Sequence, residues 1–224
     1  MDAAATRRET RHDRRPLGSR FQDTCRQTRS GGGLPEGSII PPGITHDLVL
    51  QFDLPARKAE REERLLAFNG GDVSATLVDI SREGGGKDAR FLLAHRADAN
   101  HVGGEWGWPV LAHAAYGGHL AVVEALLDAG AGGLADALRR ASREGHTAVA
   151  ALLLDRGADV HALSDFALWT AAHHGRLETA TLLLDRGANP NAHPDWSCVL
   201  TARHRGHHDM VALLLARGAI DPAA

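Results

Sequence analysis

The side chains best equipped for chemistry in this 224-residue chain are its 14 histidines, and the densest group is His173-His174 with His204, His207 and His208. Imidazoles in such numbers could ligate zinc, but no carboxylate or cysteine completes a recognisable ligand set beside them. Cys25 and Cys198 lie far apart with no metal-type spacing, and read as two reduced thiols of a cytoplasmic protein. Gly84-Gly85-Gly86-Lys87 looks like the end of a phosphate-binding loop. Asp88, however, stands where Ser or Thr would hold Mg²⁺, and Ser81 replaces the first loop glycine. G-x-S-x-G, H-E-x-x-H and C-x-x-C do not occur. The expectation is therefore no catalytic residue, no metal ligand, no cofactor and no enzymatic activity.

Composition narrows the remaining classes. With 43% hydrophobic but only 4% aromatic residues, Leu, Ala and Val must supply the buried surface, and 25 glycines imply many helix ends and turns. No apolar stretch approaches the roughly 18 residues that span a bilayer, and no apolar region follows the N-terminal arginines as in a secretory signal, so no membrane partner is expected. Residues 1–45 hold eight Arg against five acids, a net of +3, which leaves −6 for the rest of a chain whose total is −3. A mildly acidic body argues against a general nucleic-acid footprint. Two alternatives stay open: a nucleic-acid-associated regulator using the Arg-rich tail, and a His-lined binder of a metal or small ligand.

The elements that must position these side chains announce themselves as an internal repeat. Leu152–Val160 reads LLLDRGADV, Leu182–Asn191 reads LLLDRGANPN and Leu213–Ile220 reads LLLARGAI, with weaker copies at Leu126–Ala131 and Leu92–Asn100. Glycine pairs 118/130, 145/157, 175/187 and 206/218 all keep a spacing of twelve, and Gly84/Arg96 forms a degraded fifth pair. Between them, Val122, Val123, Leu126 and Leu127 lie at i, i+1, i+4, i+5, as do Val149, Ala150, Leu153 and Leu154 and again Met210, Val211, Leu214 and Leu215. That spacing puts four apolar side chains on one face of a short helix, which the trailing Gly ends in a left-handed C′ position. Upstream of each leading Gly, Ala114-Ala115, Ala141-Ser142 and Ala171-Ala172 mark a second helix able to approach closely. One such pair cannot bury its own apolar face, so copies must stack.

These phrases resemble the ankyrin-repeat family, whose unit reads T-P-L-H-x-A-A-x-x-G-H followed by V-V-x-x-L-L-x-x-G-A-D-V. The resemblance covers residues 75–224 in five copies, about 75–107, 108–135, 136–165, 166–196 and 197–224. It implies an all-α solenoid of stacked helix-turn-helix units with short β-hairpin-type loops, and His119, His146 and His207 fall in its Gly-His slot, where imidazole serves the inter-helix turn. Residues 46–74 are expected to hold a capping helix over 56–68, and residues 1–45 a disordered tail.

The Thr-Pro opening is missing throughout. Asp136 and Ser197 are expected to cap their helices, while the first, second and fourth copies lack a cap worth about 1 kcal/mol. Intervals between equivalent alanines are 34, 27, 30 and 31, and the constant helices throw all the variation into loops. The loop from Asp98 to Trp108 should form a tall finger beside a missing one after Ala131. Met210 and Leu214, at the open end, are expected to be partly exposed.

The resemblance also implies where a partner would bind: on loop tips and exposed inner-helix positions. Mapped onto this chain these are Trp106, Trp108, Tyr116, Arg143, Glu144, Asp165, His173, His174, Trp196, His204 and Arg205. Trp, Tyr and Arg are the residues that most often anchor interfaces. The plainer alternative is that Trp108 and Trp196 only shield their own loops. Trp169, which replaces the family's inner-helix His, is expected in the core. The resulting expectation is a monomeric adaptor, scaffold or inhibitor that binds a protein partner, with nucleic acid not expected.

Overall fold

The structure is a computed structural model, and it describes residues 55–193 and 196–221. The Arg-rich tail, Cys25 and the segment before Pro55 lie outside the described residues.

Eleven α-helices and one two-stranded ribbon make up the described chain. Helix α1 (Pro55–Ala67) leads through a 3-10 turn at Phe68–Gly71 into α2 (Val73–Glu83) and α3 (Gly86–Ala94). A hairpin follows, β1 (Val102–Gly103) antiparallel to β2 (Trp108–Pro109), with Val102 opposite Pro109 and Gly103 opposite Trp108. The remaining helices come in pairs: α4 (Val110–Gly117) with α5 (Leu120–Asp128), α6 (Leu134–Glu144) with α7 (Thr147–Asp155), α8 (Ala162–His173) with α9 (Leu177–Asp185), and α10 (Cys198–His204) with α11 (His208–Ala216). Even-numbered helices pack on one another in sequence order and form an inner row; odd-numbered helices, beginning with α1 on α3, form an outer row.

The repeated residues explain the stacking. Ala114, Ala115, Ala141, Ser142, Ala171 and Ala172 are all fully buried between inner helices. From the outer row Val122, Val123, Leu126, Val149, Leu153, Leu183 and Leu214 are equally buried, each large side chain contributing about 1.5–3 kcal/mol. Every outer helix from α3 onward ends alike. The amides of Ala131, Ala158, Ala188 and Ala219 reach back to the carbonyls of Leu126, Leu153, Leu183 and Leu214 at 2.9–3.0 Å. In the degraded copy Ala97 does the same to Leu92 at 3.0 Å, with Arg96 forced to φ 66° where the others have Gly. A left-handed arginine costs about 1–2 kcal/mol, so the contacts of the stack impose the turn on a residue that disfavours it.

Several expectations are corrected. Met210 and Leu214 are 1% and 0% exposed: their i, i+4 face turns toward α9 and α10, and Leu215 and Ile220 are exposed instead. Asp136 is no cap. Helix α6 starts at Leu134, so Asp136 falls in its first turn and binds Arg139 and Arg140. The first copy does have a cap, because α2 begins at Val73 and Asp72 accepts from the amides of Ser74 and Ala75, both at 3.0 Å. Ser197 caps α10 by accepting from the Leu200 amide.

Candidate functional site

The loops differ where the helices do not. After α3 the chain rises into the hairpin; after α5 it needs only Ala129–Gly133 before α6 begins. The hairpin is held from below by His113, 2% exposed, whose Nε2–H donates to the Gly103 carbonyl at 3.0 Å. Burial pushes the His113 pKa below 6.5 against the opposing hydrogen bond to Gly103, and the charges of Arg82 and Arg140 add to the lowering, so this imidazole is predominantly neutral at pH 7.

The hairpin carries an aromatic shelf. The rings of Trp106 and Trp108 lie 4.4 Å apart, and Tyr116 on α4 meets both edge-on at 6.0 and 5.6 Å. Three guanidinium groups surround it. Arg140 sits 3.3 Å from the centre of the Trp108 ring, Arg82 is 5.6 Å from Trp106, and Arg143 is 5.9 Å from Tyr116. Arg140 is 8% exposed and its Nε–H donates to Asp136 at 2.8 Å. Burial alone would raise the Asp136 pKa, but hydrogen bonds from Arg140 and Arg139 outweigh it and hold the carboxyl below its usual range. The short loop after α5 thus lets α6 clamp the hairpin of the preceding repeat, a cation–π contact of about 0.5–2 kcal/mol. Trp106, 47% exposed, stays open.

A second shelf lies on α8 and the following loop. Phe166 and Trp169 stack at 5.1 Å, and Trp196 tilts against them at 5.5 and 5.6 Å while lying flat on His193 at 4.2 Å. Trp169 is a correction: it is half-buried rather than core, and its indole N–H donates to the Thr201 hydroxyl at 3.2 Å, linking two repeats. Trp196 is 46% exposed.

Between the shelves sit the ends of the inner helices. The imidazole of His173 lies 5.0 Å from Trp169 and 4.8 Å from His174, and its Nε2 accepts from Arg205 at 2.7 Å. Accepting there leaves the ring proton on Nδ1, which is buried without a hydrogen-bond partner. Burial lowers the His173 pKa first, then Arg205, His207 and Arg143. His174 is lowered by burial, then by His173 and Arg143, against a smaller opposing effect of Glu144. Glu144 pairs with Arg143 at 3.3 Å and Arg176 at 3.8 Å. His173 meets Arg205 rather than His204, which is exposed.

Of the expected contact residues, then, Trp106, Trp108, Tyr116 and Arg143 gather on the first shelf, and Trp196, His173, His174 and Arg205 at or beside the second. Asp165 does not join them. It is 5% exposed, follows Leu163 and Ser164 in a run of three left-handed residues, and spends its carboxylate on the Asn189 amide and the His161 ring. Arg82, Arg140 and Phe166 join the shelves as well, and of these only Arg82 stands at a position where the resemblance implies partner contact. Arg82 was legible as the residue aligned with Tyr116 and Arg143; the other two depend on loop shape.

Nothing among these residues assembles a reaction centre. Burial and then Asp165 push the Cys198 thiol up to about 12, so it carries no thiolate at neutral pH. Gly84 ends α2 and Gly86 opens α3, which makes the glycine run an inter-helix turn. Among the described residues no group of three or more His, Cys, Asp or Glu side chains is placed to hold a metal, and no helix is long and apolar enough to cross a membrane.

In the turns, His119 donates to the Arg82 carbonyl at 2.9 Å, His146 to that of Tyr116 at 3.0 Å, and Arg176 to that of Arg143 at 2.9 Å. Each closes the end of the preceding repeat's inner helix. A family profile described as ankyrin repeats (3 copies) matches residues 77–164 and 138–223. The chain belongs to the ankyrin-repeat family. Its ankyrin units extend over the helix pairs from α2 to α11, and ankyrin repeats in general mediate protein–protein interaction and are typically non-catalytic. No curated protein matches this ankyrin chain.

Proposed function

We propose that this chain is a non-catalytic adaptor, scaffold or inhibitor that holds one partner protein on its inner-helix face and loop tips, as a cytoplasmic monomer. The observation that carries the reading is the pair of open aromatic shelves. A chain with only 4% aromatic residues keeps Trp106 and Trp196 nearly half exposed, each on a packed base and each close to arginine or histidine. Rigid aromatic anchors beside arginines are what interface hot spots are made of. Glu144, His204 and Arg205 extend the same surface.

The test uses the two open indoles, because Trp108 is clamped by Arg140 and its loss would also loosen the fold. Trp106→Ala with Trp196→Ala is expected to weaken capture of the natural partner by roughly a hundredfold, on the basis of about 1.4 kcal/mol per anchor. Circular dichroism and the melting temperature should stay close to the parent. Undiminished capture by the folded variant would remove this face from the reading.

A further inference from the structure

The inner-helix ends of three consecutive repeats present an imbalance of charge. Arg143, Arg176 and Arg205 surround His173 and His174, and among the described residues Glu144 is the one carboxylate in ion-pair range of these arginines. The effect is registered by the histidines themselves, whose pKa values are lowered by burial and then by these neighbouring cations. The acids nearer the first shelf are differently engaged: Asp136 is held by Arg139 and Arg140, and Asp79 pairs with Arg82 at 3.9 Å. This basic corner is flanked on both sides. Arg143 lies against Tyr116 of the first shelf, and His173 lies against Trp169 of the second. Across the inner row the surface therefore reads aromatic, basic, aromatic.

Resting on the reading of this face as the binding face, we propose that the partner segment it takes is an extended acidic peptide with an apolar or aromatic side chain at each end. Its central Asp or Glu carboxylate meets Arg143, a second beside the far anchor meets the Arg205 guanidinium that reaches back from α10 to His173, and its end side chains settle on the two shelves. Packed helices lie about 8–10 Å apart, so α4 and α8 are separated by about 16–20 Å. That is the length of roughly five to six extended residues, which sets the register: two apolar anchors with four or five residues between them, at least two acidic. A basic segment would face an excess of guanidinium groups over the single Glu144 carboxylate, and an uncharged one would desolvate Arg205 and Arg143 without supplying the missing negative charge, each of which costs affinity.

The experiment is a selection of phage-displayed random 12-residue peptides on the immobilised full chain, repeated on folded Trp106→Ala/Trp196→Ala and Arg143→Glu/Arg205→Glu variants. The expected binders are lost on the tryptophan variant and carry Asp or Glu between apolar residues. The charge-reversal variant should bind them roughly tenfold or more weakly and select Lys- or Arg-rich peptides instead, and the parent affinity should fall with added salt. Binders that need the tryptophans but show no acidic enrichment, or ignore the charge reversal, would overturn this inference and leave the binding face standing. Binders indifferent to the tryptophans, or no binders at all, would overturn both.

Discussion

Each repeat has two edges, and they are built on opposite plans. At the turn edge, between inner and outer helix, the same device recurs: a left-handed Gly followed by a side chain that reaches back to the preceding repeat, His119, His146 or Arg176 onto a helix-end carbonyl. At the loop edge the repeats share a small turn, in which Asp98, Asp159 or Asn189 accepts from the amide two residues on, but differ in length and shape. One carries a hairpin, the next only Ala129–Gly133, the next a run of three left-handed residues, and the next the stacked His193 and Trp196. The turn edge touches a neighbour at every step, so any change there disturbs the stack. The loop edge projects past the helices, so its length and side chains can vary while the core stays the same. Regularity marks what holds the array together, and irregularity marks what distinguishes this array from another.

The comparison can be broken most strongly with two glycines in one repeat. Gly118, at the turn edge, has φ 73°, and a Cβ there would come within 2.5 Å of the His146 ring. Gly130, at the loop edge, has φ 81° and open space around it. Gly130→Ala should cost only the left-handed penalty, about 1–2 kcal/mol. Gly118→Ala carries the same penalty and also displaces His146 from the Tyr116 carbonyl, for roughly 2–3 kcal/mol in all. Urea denaturation of the two variants gives the difference directly. Equal costs would show that the imidazole bridge adds nothing to the stack.

The two edges were also unequally legible in the sequence. Glycine spacing and the i, i+1, i+4, i+5 pattern locate the helices because both report contacts made inside one repeat. Arg176 could be assigned to the turn edge by position alone, since it follows Gly175 as His146 follows Gly145. The Arg140–Trp108 clamp joins residues of different repeats, and it depends on a loop short enough to bring α6 up to the hairpin. The burial of Asp165 depends on three consecutive left-handed residues, a conformation that Leu163 and Ser164 disfavour and no local pattern signals. Asp136 is expected as a cap and the first copy is expected to lack one, yet Asp72 caps and Asp136 does not, because variable loops shift helix starts by two or three residues. Trp106, Trp108, Tyr116 and Trp196 could be listed from the sequence; Phe166 and Trp169 as their neighbours, and which side chains are clamped, open or buried, required the loops.

Acid should act on the loop edge, and more weakly than Gly118→Ala because one hairpin is involved. The folded-state pKa of His113 lies below its ordinary 6.5, so between the two values the unfolded chain binds more protons. The stability His113 contributes is therefore fully present above about pH 6.5 and is lost as pH falls through the folded value. His173 and His174, lowered in the same direction, add to the slope. Urea midpoints measured from pH 7.5 to 5 should decline, with amide exchange of Gly103 rising first. His113→Gln can still donate to Gly103 but does not titrate; its stability at pH 7.5 should stay within about 1 kcal/mol of the parent, and its decline with acid should be shallower. An unchanged slope would clear His113 and leave the histidines beside the second shelf as the source.

The smallest effect tests whether the loop edge hides a regular component of its own. Outer helices α5, α7 and α9 each end on an aspartate, the wrong charge for a helix C-terminus. Asp128, Asp155 and Asp185 are met by Arg156, Arg186 and Arg217 of the next repeat at 2.8, 2.8 and 2.7 Å. This ladder is as periodic as the turn edge, yet its carboxylates are more than half exposed. An exposed pair contributes about 0.2–1 kcal/mol and is screened by salt. Arg186→Gln should therefore lower stability by less than about 1 kcal/mol in dilute buffer, and by almost nothing in 1 M salt. Replacing all three arginines should cost no more than the sum, about 0.6–3 kcal/mol at low salt, again vanishing when salt is added. A loss that persists in salt would mean that these rungs lock the stack as the imidazole bridges do, and the loop edge would then share the holding role with the turns.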